Sequence, residues 1–132
     1  MAKGYDKHQE RMEAIQGLGR SLARRARSTC ELCEESGIPL HVREVPPLPE
    51  EPEADRAVMV CERCGAAIGG AKLEPSAEYR FLEGVVWSDM PTIQVCAVRL
   101  LGRLAEQGVE WATDTLDGLY LDPEVQEWVD GG

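Results

Sequence analysis

Aromatic residues are scarce in this sequence, at 5% of 132 positions, so aliphatic side chains have to fill most of any core. Histidine occurs only at His8 and His41. No run of apolar residues approaches the ~20 needed to cross a bilayer. The first residues, MAKGYDKHQERMEA, lack the apolar centre of a signal peptide. Both absences point to a cytoplasmic protein with no membrane partner. Positive charge is also in short supply: 14 Lys and Arg face 24 Asp and Glu, for a formal net charge of -10. A chain so acidic repels nucleic acid and anionic membranes at long range.

The deficit is uneven. Residues 1–29 carry seven Lys or Arg against three Asp or Glu, a formal +4, which leaves -14 for the remainder. The basic residues concentrate at Arg20, Arg24, Arg25 and Arg27. Apolar residues make up 43% of the chain, ordinary for a globular protein. The length suits one domain, or a small metal module joined to a helical piece.

Five cysteines are present, and four form two pairs in the pattern C-x2-C-x27-C-x2-C: Cys30, Cys33, Cys61 and Cys64. In a reducing compartment, paired CxxC motifs favour a metal over disulfides. Two residues between cysteines let one tight turn offer both sulfurs to the same ion, with backbone amides free to hydrogen-bond them. Four thiolates suit one zinc ion in a closed tetrahedron, which makes the ion structural, since catalytic zinc keeps one position open for water. Four thiolates and a dication take the formal charge to about -12. Two other chemistries use such cysteines. A redox dithiol comes singly beside a βαβ pattern, which is absent here; a rubredoxin-like iron site takes the same four ligands. Cys96 lies in an apolar helix and reads as a small core residue.

The periodicities describe an α+β protein. Met12, Ile15, Leu18, Leu22 and Ala26 predict a basic amphipathic helix over 7–27. Residues 39–45 predict a strand with Leu40, Val42 and Val45 on one face. The stretch PPLPEEPEAD, 46–55, predicts an exposed, mobile loop, since its prolines fit neither a helix nor a central strand. Ala57 to Val60 reads as a second strand, and the helix after Cys64 stops at Gly69-Gly70. Ser76 caps a helix expected to run through Tyr79, Leu82, Val85 and Val86. Pro91 starts another, with Ile93, Ala97, Leu100 and Leu104 as its stripe and Gly108 as its end. Trp111, Leu116, Leu119 and Tyr120 suggest a further helix, and Asp122-Pro123 a last turn ending near Trp128. The resulting organisation is a basic helix (1–27), a zinc-binding module with a short β-hairpin (28–70) and a helical region (71–132).

Arg25-Ala26-Arg27-Ser28-Thr29-Cys30-Glu31-Leu32-Cys33, then Val42-Arg43-Glu44-Val45-Pro46-Pro47 and Val60-Cys61-Glu62-Arg63-Cys64, resemble the zinc-ribbon region of the PhnA-like family. The later run from Trp87 and Ser88 through Pro91, Gln94 and Val95 to Arg103-Leu104, and on to Leu119-Tyr120-Leu121-Asp122, resembles the helical segment of longer members. Many of those members end in a small β-rich domain that this sequence lacks. The family takes its name from a phosphonate-utilisation operon, so the resemblance raises a phosphonate-related hydrolase. The same scaffold is similar to HNH-type nucleases, built on a treble clef. Their catalytic histidines are replaced here by Arg43-Glu44 and Gly65-Ala66, and His41 shares a strand face with Arg43 but not Glu44.

Three functions follow, in descending order. The first is a non-catalytic structural-zinc protein that docks an unidentified protein partner, with Trp87, Trp111 and Trp128 as candidate contacts. The second is a nucleic-acid-binding zinc module using Arg20, Arg24, Arg25, Arg27 and Arg63, which the net charge disfavours. The competing role for those arginines is to offset the zinc–thiolate charge and pair with Glu31, Glu34 and Glu35. The third is the hydrolase, for which no paired carboxylates stand at a spacing that places them in one cleft.

Overall fold

The computed structural model describes Ala2 to Gly131, with side chains from Lys7 onward. A long first helix, α1 (Ala2–Ala26), leads into the first cysteine pair. A hairpin of β1 (Leu40–Glu44) and β2 (Ala57–Cys61) delivers the chain to the second pair and α2 (Glu62–Ile68). Four helices follow: α3 (Leu82–Val85), α4 (Pro91–Glu106), α5 (Glu110–Asp117) and α6 (Pro123–Gly131). The α+β class, N-terminal helix, hairpin and helical second half are those the periodicities predict.

The hairpin is antiparallel, with Leu40 opposite Cys61, Val42 opposite Met59 and Glu44 opposite Ala57. Every residue of β2 is buried, because this strand has cover on both sides. Ala57 and Met59 pack with Leu18, Leu22, Ala26, Leu40 and Val42 beneath α1. Val58 and Val60 turn the other way, into the larger cluster built around Val95, Leu101 and Leu104 of α4. The order is therefore helix, hairpin, helices. The larger cluster also contains Cys30, Leu32, Cys61 and Cys64, so the cysteine region and the helical half share one core.

Five expectations change in detail, the last being that α5 ends at Asp117, short of Leu119 and Tyr120. Helix α1 starts at Ala2 rather than Lys7, and Gly17 and Gly19 stay helical within it. Val45 leaves the face of Leu40 and Val42: it is buried in the larger cluster, as its odd spacing from them requires. The single helix expected from Ser76 is two pieces. Ser76 Oγ accepts from the Glu78 amide and starts a 3-10 turn at Ala77–Tyr79, ahead of α3. Residues between the pieces keep right-handed helical geometry but bond at i→i+3, as Glu83 to Arg80 and Gly84 to Phe81 show. Leu82 and Val86 thereby both reach full burial.

The fourth is the proline–acid loop. It is exposed as expected, yet tied at both ends. Arg11 donates to the carbonyls of Pro49 and Glu50 and forms a two-pronged pair with Glu44, at 2.6 and 2.9 Å. Trp128 Nε1 donates to the Pro46 carbonyl at 3.1 Å, with Arg56 stacked 4.4 Å from its ring centre.

Helix α4 is the central element. Its predicted stripe, Ile93, Ala97, Leu100 and Leu104, is buried, and so are Val95, Cys96, Val98 and Leu101. Its two arginines serve as ties between helices. Arg99 donates to the carbonyls of Trp128 and Val129 near the end of α6, and Arg103 to those of Ala67 and Ala71 around the end of α2. Arg99 thereby satisfies carbonyls that the end of α6 leaves open, while Arg103 adds a donor to the Ala67 carbonyl, which already accepts the Gly70 amide.

Candidate metal centre

Cys30 and Cys33 stand on a turn between α1 and the hairpin, and Cys61 and Cys64 at the junction of β2 and α2. The first turn is held locally. The Cys30 amide donates to the Glu35 carbonyl and the Glu34 amide to the Cys30 carbonyl, each at 2.9 Å. The turn closes with Glu34 in the left-handed region, at φ 65°. The Glu31 amide donates to the Met59 carbonyl at 2.9 Å, and that bond fastens the turn to β2.

The four sulfurs lie within 4.8 Å of one another. Cys33 Sγ and Cys61 Sγ, from opposite pairs, are 3.9 Å apart. Four thiolates around one zinc at ~2.3 Å give tetrahedron edges of about 3.8 Å, so the spacing fits a single ion of that kind. Cys30, Cys61 and Cys64 are buried, and Cys33 is half-buried at the rim. The Cys33 amide donates to Cys30 Sγ at 3.5 Å, an outer bond of the sort that damps thiolate charge.

The crowded thiols of Cys30, Cys33 and Cys64 differ in how readily they take negative charge. The Cys30 thiol is drawn down, first by a hydrogen bond from Cys64, then by the backbone around Cys61, Cys33 and Leu32, while burial opposes the shift. Cys64 is pushed up by holding the proton that faces Cys30, by burial and by the neighbouring sulfurs. Cys33 rises chiefly through burial. One bound dication replaces these differences with four bonds. The donor set is all sulfur, soft and already converged, which is what zinc, or iron, requires.

Charged residues around the centre have definite partners. Arg25 reaches from α1 to grip the Glu31 carboxylate with two bonds of 2.7 Å, and also donates to the carbonyls of Ala54 and Ala57. Glu31 in turn accepts from the Met59 amide at 2.8 Å, and its side chain is only 4% exposed. Arg63 lies 3.6 Å from Glu78 and 5.8 Å from the ring centres of both Tyr79 and Phe81. The sequence marks Arg25 as one basic residue among several. Its position on the α1 face that meets the hairpin, three residues beyond Leu22, is the signal that separates it.

Other candidates are scattered. His8 is exposed on α1, and His41 is exposed on β1. Arg43 shares the His41 face and lays its guanidinium along α2, where an added Cβ at Gly69 would stand 3.2 Å from it. Glu44 points to the opposite face, to Arg11. Of the positions that correspond to a nuclease centre, Arg43 lies against Gly65 while Glu44 faces the other side of the strand.

Cys96 is 2% exposed within α4, and burial pushes its thiol up to about 12. It is expected to escape alkylation in the native, metal-loaded protein. Mass spectrometry after iodoacetamide should show no adduct at Cys96 until denaturant is added; rapid native labelling there would contradict its burial.

No protein-family model, curated protein or solved structure matches this chain. Among the described residues, no helix is long and apolar enough to cross a membrane.

Proposed function

We propose that this is a non-catalytic zinc-ribbon protein of the PhnA-like kind, in which one structural zinc holds the fold and a protein partner docks on the outside. The observation that carries the reading is the tetrad itself. Four cysteine sulfurs within 4.8 Å of one another are enough to fill a tetrahedral shell around one zinc, which would leave no position for a substrate or water. The two histidines stand exposed on different elements. Support for the docking role comes from the tryptophans. Trp111 is partly buried beneath Arg80, and Trp128 holds the proline loop, so both have structural work. Trp87 is 55% exposed. Tryptophan is enriched at protein interfaces, where its large flat side chain is desolvated by the partner.

The test replaces Trp87 by a photo-crosslinking amino acid in living cells, with the exposed Tyr120 replaced in a parallel chain. A discrete adduct with one other protein at position 87, absent at 120, is the expected result. Adducts at neither position, or equally at both, would remove the docking role. Elemental analysis of the purified protein is expected to find one zinc per chain; iron, with its visible absorption bands, would replace zinc in this reading.

A further inference from the structure

The fold separates the five arginines of the basic set. Arg25 is held by Glu31, and Arg63 lies against Glu78 and two rings. Arg20, Arg24 and Arg27 are all exposed, and among the described residues none of their guanidinium groups has a hydrogen-bonding or ion-pairing partner. Glu34 and Glu35, close in sequence, pair with none of them.

These three arginines form a row. Arg20 and Arg24 are one helical turn apart, and Arg27 follows just beyond the end of α1. At about 100° per residue, Arg20 and Arg24 point away from Leu22, the residue of α1 most deeply set against the hairpin. Arg20 and Arg24 stand about 6 Å apart along the axis, and Arg27, at φ 54°, follows where the chain leaves the helix. Like charges one turn apart on a helix repel, so a bound anion there relieves a small strain. Among the described residues these three arginines are met by no carboxylate, so the face they share stays cationic in an otherwise acidic chain and is open to an external anion.

The residues between them narrow the choice. Gly17, Ser21, Ala23 and Ser28 are exposed and small, and an added Cβ at Gly17 would meet nothing within 4 Å. No large apolar side chain is exposed from residue 16 to residue 28. A protein interface needs a desolvated apolar or aromatic anchor at its centre, and this face has none. A phosphate backbone needs guanidinium and hydroxyl donors on a surface it can approach closely, and this face has those. The acidic α5 and α6 lie in the other layer, beyond the hairpin.

We propose that the outward face of α1 binds the phosphate backbone of nucleic acid through Arg20, Arg24 and Arg27, without reading base sequence. This is a second surface, independent of Trp87 and of the docking role. Three phosphate contacts release about three counterions, so the slope of log K against log salt on duplex DNA should be about -3. Binding should be measurable only at low salt, because the remainder of the chain is repelled.

The test uses the intact metal-loaded protein and two short labelled DNA duplexes of unrelated sequence, titrated at several potassium chloride concentrations. Both are expected to bind alike, with that slope. Replacing all three residues (Arg20→Gln, Arg24→Gln, Arg27→Gln) should weaken low-salt binding at least about tenfold and flatten the slope, while each single change removes about 0.9 from it. Metal content and melting temperature should not move, since these side chains hold nothing in place. No binding at low salt would overturn the proposal, as would binding undiminished in the triple variant. So would sedimentation showing that the row joins two copies of this chain and that DNA does not compete.

Discussion

Chelation is expected to unfold the whole chain in one transition, rather than loosening the two cysteine turns alone. The turns are not an appendage. Cys30, Leu32, Cys61 and Cys64 belong to the same buried cluster as Val95, Leu101 and Leu104 of α4. Structural zinc supplies roughly 10–16 kcal/mol in small finger peptides, against a net stability of about 5–15 kcal/mol for a typical domain. Losing even half of that contribution is enough to tip the balance. A strong chelator should therefore release zinc and abolish the helical circular dichroism together. Cys61→Ser, which removes one sulfur at the junction of β2 and α2, should show the same loss without chelator. Zinc released with the helical signal intact would mean that the apolar cluster carries the fold and the ion has another role.

The second large effect is expected at Arg25. Arg25→Ala should lower stability by about 3 kcal/mol, because removing one partner of a buried ion pair strands the other. The stranded group is the Glu31 carboxylate, 4% exposed and directly between Cys30 and Leu32. For a domain of this size, that is a fall of about 10 °C in melting temperature. Arg24→Ala, one residue away on the exposed side, should change stability by less than about 0.5 kcal/mol. Replacing both partners by apolar residues (Arg25→Met with Glu31→Leu) should recover part of the loss, since neither charge is then stranded. The remaining deficit is the Met59 amide, which loses its acceptor, and the Ala54 and Ala57 carbonyls, which lose the Arg25 donors. Urea unfolding of the four proteins, metal-loaded throughout, measures this directly. Equal effects for Arg24→Ala and Arg25→Ala would show that the pair contributes nothing beyond general charge.

The comparison of Arg24 with Arg25 shows where reading along the chain stops. Spacing between neighbours is a local property, and it carried far. C-x2-C-x27-C-x2-C marked four ligands that do converge, since two residues between cysteines suffice to shape each turn. Alternation placed Leu40 and Val42 on one side of a strand, and Pro91 and Gly108 bracketed α4 because proline and glycine act on their own backbone. Ala57 to Val60 was identifiable as a strand, but an unbroken apolar run does not state how many faces are covered. Cover on both faces exists only because α1 and α4 pack from opposite sides.

Pairings between distant residues followed no local pattern at all. Trp128 meets Pro46 across 82 positions and Arg25 meets the Ala54 carbonyl across 29, so a loop whose composition reads as mobile is held at both ends. The arginines of α1 are chemically alike, and which of them finds a carboxylate depends on the rotation of the helix against the hairpin. That rotation is set by Leu22 and Ala26 seated over Ala57 and Met59. Residue order thus determined the four converging cysteines and the identity of most elements. Tertiary packing alone decided which charges are spent inside the molecule and which remain on its surface, because each such choice needs two elements already in contact.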